Sequence, residues 1–365
     1  MNTKGADSPW STNLQTPDGS GGFNFKRQPS EETVPIKREP SPSVPPGETQ
    51  ISEGYVEVNE GHLYWKYSIP ANETMETRPV LLFIHAGVAD HSMWDAQVEY
   101  CLERGWNCIQ FDMFGFGRSL PNEGYLFSNP RPQFDPIDQL DRLLAEVLQP
   151  HNTIIPIGLS IGGSLALGYT VQQRGLVSGL AIISGGVRGF EYNNQPEEDR
   201  LFAKIDQLTA DGDVQGAANL TVRAWGDGPL QEPGRMDEVV AEQMLKWNID
   251  ISQRECSNRG GTALDALARD PPAGTQLHTL DIPTAVAYGV FDETYTTAAM
   301  QFVAMKVPGA NIREFRTAHM VNLEAPDEFN EWLGEWLELS FLQEDDARST
   351  WRASTVGAST VGASP

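Results

Sequence analysis

The chain is poor in cysteine, in positive charge and in long apolar runs. Its 365 residues include only three cysteines, and no two of them form a Cys-x-x-Cys pair. This argues against a disulfide-stapled scaffold and against the usual zinc-binding spacings. Lysine and arginine number 26 against 50 acidic residues, so the formal net charge is −24. Because the chain has no basic excess, we expect neither nucleic acid nor an anionic membrane surface as a partner.

Other absences narrow the class of protein further. No apolar run approaches the length of a membrane span, and the N-terminus shows no basic segment followed by an apolar one. We therefore expect an intracellular, cytoplasmic protein with reduced thiols. None of the six histidines falls into a metal-ligand spacing with the carboxylates, so we predict neither a metal nor an organic cofactor. The sequence carries no indication of the oligomeric state.

Composition divides the chain into three parts. Residues 1–50 are rich in Pro, Ser, Gly and Glu and are predicted to be a disordered N-terminal tail. Residues 344–365, in which an Ala-Ser-Thr-Val-Gly unit repeats, are predicted to be a disordered low-complexity C-terminal tail. Residues 54–340 are predicted to form one α/β domain. Predicted strands and helices alternate along this domain. The alternation is interrupted at about 188–275, which indicates a helical cap insertion over the carboxyl ends of the strands.

The apolar runs between the tails predict a mostly parallel, eight-stranded sheet with helices on both faces and an antiparallel start. Two alternating runs separated by a turn predict an opening hairpin, at 55–58 and 63–67. Later strands are predicted at about 79–85, 106–112, 153–157, 179–183, 282–288 and 311–315, and helices at about 135–149 and 326–340.

One turn between a predicted strand and a predicted helix carries a serine. It reads Gly158-Leu159-Ser160-Ile161-Gly162-Gly163, after an apolar run and before a segment of small residues. Glycine on both sides permits a sharp bend that leaves the hydroxyl of Ser160 clear of the sheet. The N–H groups at the start of the helix would face an oxyanion formed there. The alternative interpretation is a solvated serine in a glycine-rich turn.

A serine nucleophile needs a base to accept its proton and an acid to orient that base. His319 follows the last predicted strand, and Asp292 follows the strand at 282–288. Strands of one parallel sheet end at the same edge, so these side chains are predicted to meet Ser160 there. Glu293 is the nearest competitor for the role of the acid, and Asp292 could also cap the next helix.

Two backbone N–H groups are predicted to stabilise the oxyanion. Gly87 lies just after the buried strand at 79–85 and has no side chain to block its N–H. Ile161 directly follows the candidate nucleophile.

Five motifs in this order resemble the α/β-hydrolase superfamily over roughly residues 54–340. They are His85-Ala86-Gly87, Asp112-Met113-Phe114-Gly115-Phe116-Gly117-Arg118-Ser119, the serine turn, Gly289-Val290-Phe291-Asp292, and His319 followed by Asn322-Leu323-Glu324-Ala325-Pro326. The family usually has His-Gly at the first motif, where this chain has Ala86 and then Gly87. The resemblance implies a structural role for the motif that begins at Asp112.

Two further motifs resemble one group of enzymes within this superfamily. Trp225-Gly226-Asp227-Gly228-Pro229 and Asp270-Pro271-Pro272 are similar to segments of 3-oxoadipate enol-lactonase relatives and other small-ester hydrolases. A serine at position 160 argues against the epoxide-hydrolase and haloalkane-dehalogenase branches, whose nucleophile is a carboxylate.

The predicted function is a serine hydrolase that acts on an ester, lactone or thioester of a small, moderately apolar acyl substrate. Its predicted catalytic residues are Ser160, Asp292 and His319. A carbon–carbon bond hydrolase, an acyltransferase and a non-catalytic small-molecule receptor on the same scaffold remain alternatives. Candidate substrate contacts are Trp225, Met244, Trp247, His91 and Trp94, although Trp and Met at helical spacing are more often core residues than ligand contacts.

Overall fold

A central eight-stranded sheet organises the computed structural model, which describes residues 48–71 and 78–342. The strands are β1 (Gln50–Val58), β2 (Gly61–Ile69), β3 (Val80–Ile84), β4 (Cys108–Phe111), β5 (Ile154–Leu159), β6 (Leu180–Ile183), β7 (Thr284–Gly289) and β8 (Asn311–Phe315). Their order in the sheet is β1-β2-β4-β3-β5-β6-β7-β8. β2 is antiparallel to β1 and to β4, and the remaining neighbours are parallel. The predicted sheet with its antiparallel start is confirmed.

Helices connect the strands and lie on both faces of the sheet. They are α1 (Asp95–Glu103), α2 (Glu123–Leu126), α3 (Pro136–Val147), α4 (Ile161–Gln172), α5 (Pro196–Asp211), α6 (Val214–Val222), α7 (Glu238–Cys256), α8 (Thr294–Lys306), α9 (Val321–Glu324) and α10 (Pro326–Phe341). Residues 184–283, between β6 and β7, contain α5, α6 and α7 and are called the inserted segment below. Among the described residues, no helix has the length and apolar character needed to cross a membrane.

The first strand is longer than its sequence pattern predicts. β1 begins at Gln50, which pairs with Ile69 at the far end of β2. The first residues of β1 are exposed, so they lack the apolar alternation on which the prediction of a strand at 55–58 rests. Gln50, the last residue of the predicted N-terminal tail, instead starts the sheet. The rest of that tail up to residue 47, and the C-terminal tail at 344–365, lie outside the described residues.

The central strands are buried on both faces, as their continuous apolar runs predict. Alternate residues of β3 point to opposite sides of the sheet. Leu82 and Ile84 join a cluster with residues of α3, α4 and α8. Leu81 and Phe83 join a second cluster with residues of α1 and α10.

A buried polar group links α1 to the last two helices. The Nε2 of Gln97 donates a hydrogen bond to Oδ1 of Asn330 at 2.9 Å. The Nδ2 of Asn322 donates to Oε1 of Gln97 at 3.0 Å and to the carbonyl of Met93 at 2.9 Å. Because buried amides need partners, this group fixes how α1, α9 and α10 meet.

Candidate active site

Ser160 stands where β5 ends and α4 begins. Its backbone has φ of 62° and ψ of −124°, a region that residues with side chains rarely adopt. Its N–H donates to the carbonyl of Ile183 in β6 at 2.9 Å, and its carbonyl accepts from the N–H of Ser164 at 3.0 Å. The backbone of the sheet and of α4 therefore holds Ser160 at the carboxyl edge, with its side chain half-buried.

Two glycines let the loop after β3 approach the serine turn. A Cβ on Gly162 would lie 2.4 Å from the carbonyl oxygens of both Ile84 and His85. A Cβ on Gly87 would lie 3.0 Å from Cδ1 of Ile161. Ile161 is the first residue of α4, where an N–H has no acceptor within the helix. The structure thus places Gly87 against the side chain of Ile161, the residue that follows Ser160.

His85 fixes the orientation of the loop that contains Gly87. The ring is fully buried, and burial lowers the pKa of His85, so it is neutral. Its Nδ1 donates to the carbonyl of Ala86 at 2.7 Å, and its Nε2 accepts from the N–H of Met113 at 2.9 Å. The carbonyl and the N–H of a trans peptide point in opposite directions. Holding the oxygen of Ala86 therefore turns the N–H of Gly87 to the other side.

Asp292 and His319 lie side by side at the ends of β7 and β8. The Nδ1 of His319 is 2.9 Å from Oδ2 of Asp292 and 3.0 Å from its Oδ1. His319 is 2% exposed and Asp292 is 6% exposed. A carboxylate only accepts hydrogen bonds, so Nδ1 carries the proton and Nε2 of the neutral ring keeps its lone pair. A base oriented in this way can take a proton from a hydroxyl.

Glu293, the competing acid, is hydrogen-bonded to Asn194 and Thr296. Its carboxylate accepts from Nδ2 of Asn194 at 2.6 Å and from the hydroxyl of Thr296 at 3.1 Å. The pKa of Glu293 is raised to about 7, mainly by burial and to a smaller extent by the nearby charge of Asp292. Glu293 occupies the N-cap position of α8, so Asp292 is not that cap residue, although its Oδ1 accepts from the N–H of Glu293 at 2.7 Å.

The inserted segment is bonded to the turn that carries Asp292. Glu198 of α5 is fully buried, and its Oε1 accepts from the N–H and the hydroxyl of Thr294 at 2.7 and 2.9 Å. A Cβ on Gly228 would lie 2.3 Å from the carbonyl oxygen of Phe291, and the φ of Gly228 is +97°. A residue with a side chain would not fit at that approach. The turn that carries Asp292, called the acid turn below, therefore contacts the inserted segment at Glu198 and at Gly228.

The ring of Trp225 lies on the imidazole of His319. Trp225 belongs to a π-helical turn, Arg223–Asp227, that continues α6. The ring centroids of Trp225 and His319 are 4.4 Å apart, with an angle of 46° between the planes. Phe202 of α5 packs on Trp225 with centroids 5.0 Å apart. The residue predicted as a substrate contact is thus a direct neighbour of the candidate base.

Three other candidate substrate contacts have partners within the protein. Met244 is fully buried beside Gly226, and Trp247 packs between the two core clusters. Trp94 is buried between Phe83 and Phe329 in the core, so its interpretation as a pocket residue is wrong. The hydrophobic pattern cannot distinguish these two environments because it reports burial alone.

His91 is bound to Asp112 and not to the site. Its Nδ1 and its backbone N–H each lie 2.8 Å from Oδ1 of Asp112, whose Oδ2 accepts from the N–H of Arg118 at 2.7 Å. Burial alone would lower the pKa of His91, but the Asp112 carboxylate outweighs it and raises this pKa. Asp90 brings a third ligand atom within 4.8 Å, but its Oδ1 already accepts twice from Ser92. These hydrogen bonds fit a structural role, and we assign no metal to the cluster.

One polar neighbour of the site has no signal in the sequence pattern. Asn248 of α7 is buried, and its Nδ2 donates to the carbonyl of Val88 at 3.0 Å, next to Gly87. A single asparagine in a helical pattern carries no signal for a contact 160 residues away.

The fold and this arrangement of loops define a hydrolase of the α/β type. The model of the Alpha/beta hydrolase family matches residues 81–332, and the chain belongs to this family. Proline iminopeptidase of Thermoplasma volcanium is 21% identical over 309 residues, which cover 80% of this chain and 98% of that protein. The resemblance inferred from the motifs is confirmed at the level of the superfamily.

Solved structures show the same fold. The enol-lactonase from Burkholderia xenovorans has a TM-score of 0.59 and 18% identity, covering 78% of this chain and 99% of that one. A thermophilic esterase from Thermogutta terrifontis has a TM-score of 0.57 and 19% identity, covering 80% of this chain and 99% of that one.

Proposed function

We propose that this chain is a serine hydrolase that cleaves an ester, lactone or thioester of a small, moderately apolar acyl substrate. The observation that carries the proposal is the buried contact of His319 with both oxygens of Asp292, at 2.9 and 3.0 Å. The strained turn of Ser160 lies at the same edge of the sheet. Membership of a hydrolase family supports hydrolysis as the reaction.

In the proposed mechanism, Nε2 of His319 removes the hydroxyl proton of Ser160 as the serine oxygen attacks the acyl carbon. Asp292 keeps the proton on Nδ1 and stabilises the imidazolium that forms. The imidazolium then gives its proton to the leaving oxygen or sulfur as the bond to that atom breaks. A water molecule, deprotonated by the same nitrogen, then attacks the acyl carbon. The bond from that carbon to the oxygen of Ser160 breaks, and the imidazolium returns its proton to the serine oxygen.

The N–H groups of Gly87 and Ile161 are the proposed donors to the oxyanion. Their support is the contact between the two residues and the hold of His85 on the carbonyl of Ala86. Loss of one such donor typically costs about 3–4 kcal/mol of transition-state stabilisation.

The nature of the substrate is inferred from the surroundings of the site. We propose that the inserted segment is a cap that selects the acyl group, because it contributes Trp225 directly against His319. The similarity to an esterase and an enol-lactonase favours a carboxylic ester or a lactone. Reduced thiols and the net charge of −24 support an intracellular location and a small-molecule partner, with no nucleic acid and no membrane surface.

The test is reaction with a fluorophosphonate probe, together with turnover of p-nitrophenyl esters of graded chain length and a panel of lactones. We expect labelling at Ser160 and turnover that prefers short, neutral acyl groups. Ser160→Ala should abolish labelling and lower kcat by about 10⁶-fold, because the hydroxyl forms the covalent bond. Turnover that survives Ser160→Ala unchanged would contradict the proposal.

A second candidate is a peptidase that removes an N-terminal proline. The observation in its favour is that the Thermoplasma proline iminopeptidase aligns with this chain over 98% of its own length. Prolyl anilides, assayed beside the esters under the same conditions, separate the two candidates. A kcat/KM for the prolyl anilide above that for every ester and lactone would favour the peptidase.

A further inference from the structure

We infer that Arg235 is a positioning residue for His319, because its ion pair with Glu324 holds the ring of Trp225 on the imidazole. The inference rests on the proposed role of His319 as the base. It assigns to the inserted segment a part in setting the protonation of that base, in addition to covering the site.

Arg235 binds the backbone that directly follows Trp225. Its Nη2 donates to the carbonyl of Gly226 at 2.9 Å, and its Nε donates to the carbonyl of Asp227 at 2.6 Å. A guanidinium presents these donors in a fixed plane, so two successive carbonyls are fixed relative to it. The orientation of the π-helical turn, and with it the ring of Trp225, therefore depends on where Arg235 is anchored.

Glu324 supplies that anchor and also holds the loop of His319. Its Oε2 accepts from Nη2 of Arg235 at 2.6 Å, and its Oε1 accepts from the N–H of Ala318 at 2.7 Å. Ala318 is the residue before His319. The side chain of Arg235 is 23% exposed and that of Glu324 is 7% exposed, so solvent screens the pair only in part. One ion pair thus connects the backbone beside Trp225 to the backbone beside His319.

The position of Arg235 itself is fixed from both sides. The carboxylate of Asp227 accepts from the N–H of Gly234 at 2.8 Å and of Met236 at 2.9 Å, the two neighbours of Arg235. The guanidinium carbon lies 5.1 Å from the centre of the Phe291 ring, next to Asp292. The same side chain therefore reaches the acid turn as well as the histidine loop.

The chemical consequence concerns the charged form of His319. An aromatic face against a cation stabilises the cation, and the effect grows when water is excluded. His319 becomes an imidazolium when it takes the proton, so Trp225 favours the state that the reaction requires. The charged groups around the ring are Asp292 in direct contact, Glu293 next to it, and the Arg235–Glu324 pair, whose charges cancel.

The first measurement is the pH titration of the His319 ring by NMR in the full chain, with His319→Gln used to assign its signal. In Trp225→Leu, an apolar side chain still covers the imidazole but the aromatic face is gone. We expect the pKa of His319 to fall by about half a unit to one unit. We expect kcat to fall about three- to tenfold, because the imidazolium loses the corresponding stabilisation.

The second measurement tests whether the ion pair acts through Trp225. The double variant Arg235→Gln with Glu324→Gln removes both charges together, and the amide that replaces the carboxylate still offers an oxygen to the N–H of Ala318. We expect its His319 titration to shift in the same direction as that of Trp225→Leu. Combined with Trp225→Leu, the double variant should add little further shift, since neighbours that act as one unit are not additive. Arg200→Gln, an exposed arginine of α5 paired with Glu197, is the matched control and should leave the titration unchanged.

Two outcomes overturn the inference: an unchanged His319 titration in Trp225→Leu, or shifts that add fully in the combined variant. The titration does not need turnover, so it reports on Trp225 and Arg235 even if the chain proves not to hydrolyse esters. Conversely, loss of turnover in Ser160→Ala with an unmoved titration in Trp225→Leu would keep the proposed function and reject this inference.

Discussion

The two sides of the candidate active site are held in place by different means. On the serine side, Ser160 and the loop of Gly87 are positioned by backbone contacts with β3, β6 and α4. On the histidine side, Asp292 and His319 are surrounded by side chains, several of which reach down from the inserted segment. The serine side depends on the lack of side chains at glycines, whereas the histidine side depends on their presence.

The two sides should therefore respond to different kinds of substitution. Adding a methyl group should disturb the serine side, where a Cβ on Gly162 would lie 2.4 Å from two backbone carbonyl oxygens. Removing a polar or aromatic group should disturb the histidine side. Two side chains are exceptions on the serine side. Asn248 reaches from α7 of the inserted segment to the carbonyl of Val88. The ring of His85 binds the carbonyl of Ala86.

The largest effect is expected from a substitution of the acid on the histidine side. Asp292→Asn should lower kcat about 10⁴-fold, because an amide no longer requires the proton to stay on Nδ1 of His319. Steady-state kinetics on the best ester measures it. The matched control is Glu293→Gln, which changes the neighbouring carboxyl in the same way and should alter kcat only a few-fold. Equal losses in both variants would mean that the histidine side does not depend on Asp292 in particular.

A smaller effect is expected from one added methyl group on the serine side. Gly162→Ala places a Cβ against the carbonyls of Ile84 and His85 and should push the loop of Gly87 away from Ser160. We expect kcat to fall about 10²- to 10³-fold, as for the loss of an oxyanion donor. Gly168→Ala, in the same helix, meets only Cδ1 of Ile137 at 3.8 Å and should leave kcat unchanged. A Gly162→Ala enzyme with normal kcat would contradict this account of the serine side.

The smallest effect concerns stability near the acid turn. The pKa of Glu293 is raised from 4.5 to about 7, so between these values the folded state holds a proton that the unfolded chain releases. Stability therefore falls as pH rises through this range. The free energy of unfolding of Glu293→Gln minus that of the wild type should therefore increase by roughly 2–3 kcal/mol from about pH 4.5 to pH 8. Urea unfolding at both pH values measures it, with the exposed Glu197→Gln as control. A difference that is the same at both pH values would refute the prediction.

The strands and the order of the candidate site residues could be predicted from the sequence because both are local signals. A continuous apolar run indicates a buried strand, and the residue after it lies at the edge of the sheet whatever the rest of the chain does. The predicted β1 is too short because its exposed residues form a strand only by pairing with β2.

The contacts that surround the site could not be predicted in this way. Arg235 and Glu324 are 89 residues apart, and Asn248 and Val88 are 160 residues apart. Which polar side chain reaches which loop depends on the docking of whole helices, and no periodicity encodes that. The same limit explains Trp94, whose position after the oxyanion loop indicated the pocket although its ring packs in the core.

The buried amides of Gln97, Asn322 and Asn330 have a consequence for co-translational folding. Gln97 and Asn330 are 233 residues apart, so the ribosome needs roughly 10–50 s to synthesise the partner after Gln97 has been made. Until then α1 lacks the helix against which it packs. Asn322 lies three residues after His319, so the loop of the candidate base is secured in the same late step. The nascent chain therefore gains its proposed activity only after the segment that contains Asn322 and Asn330 has been synthesised.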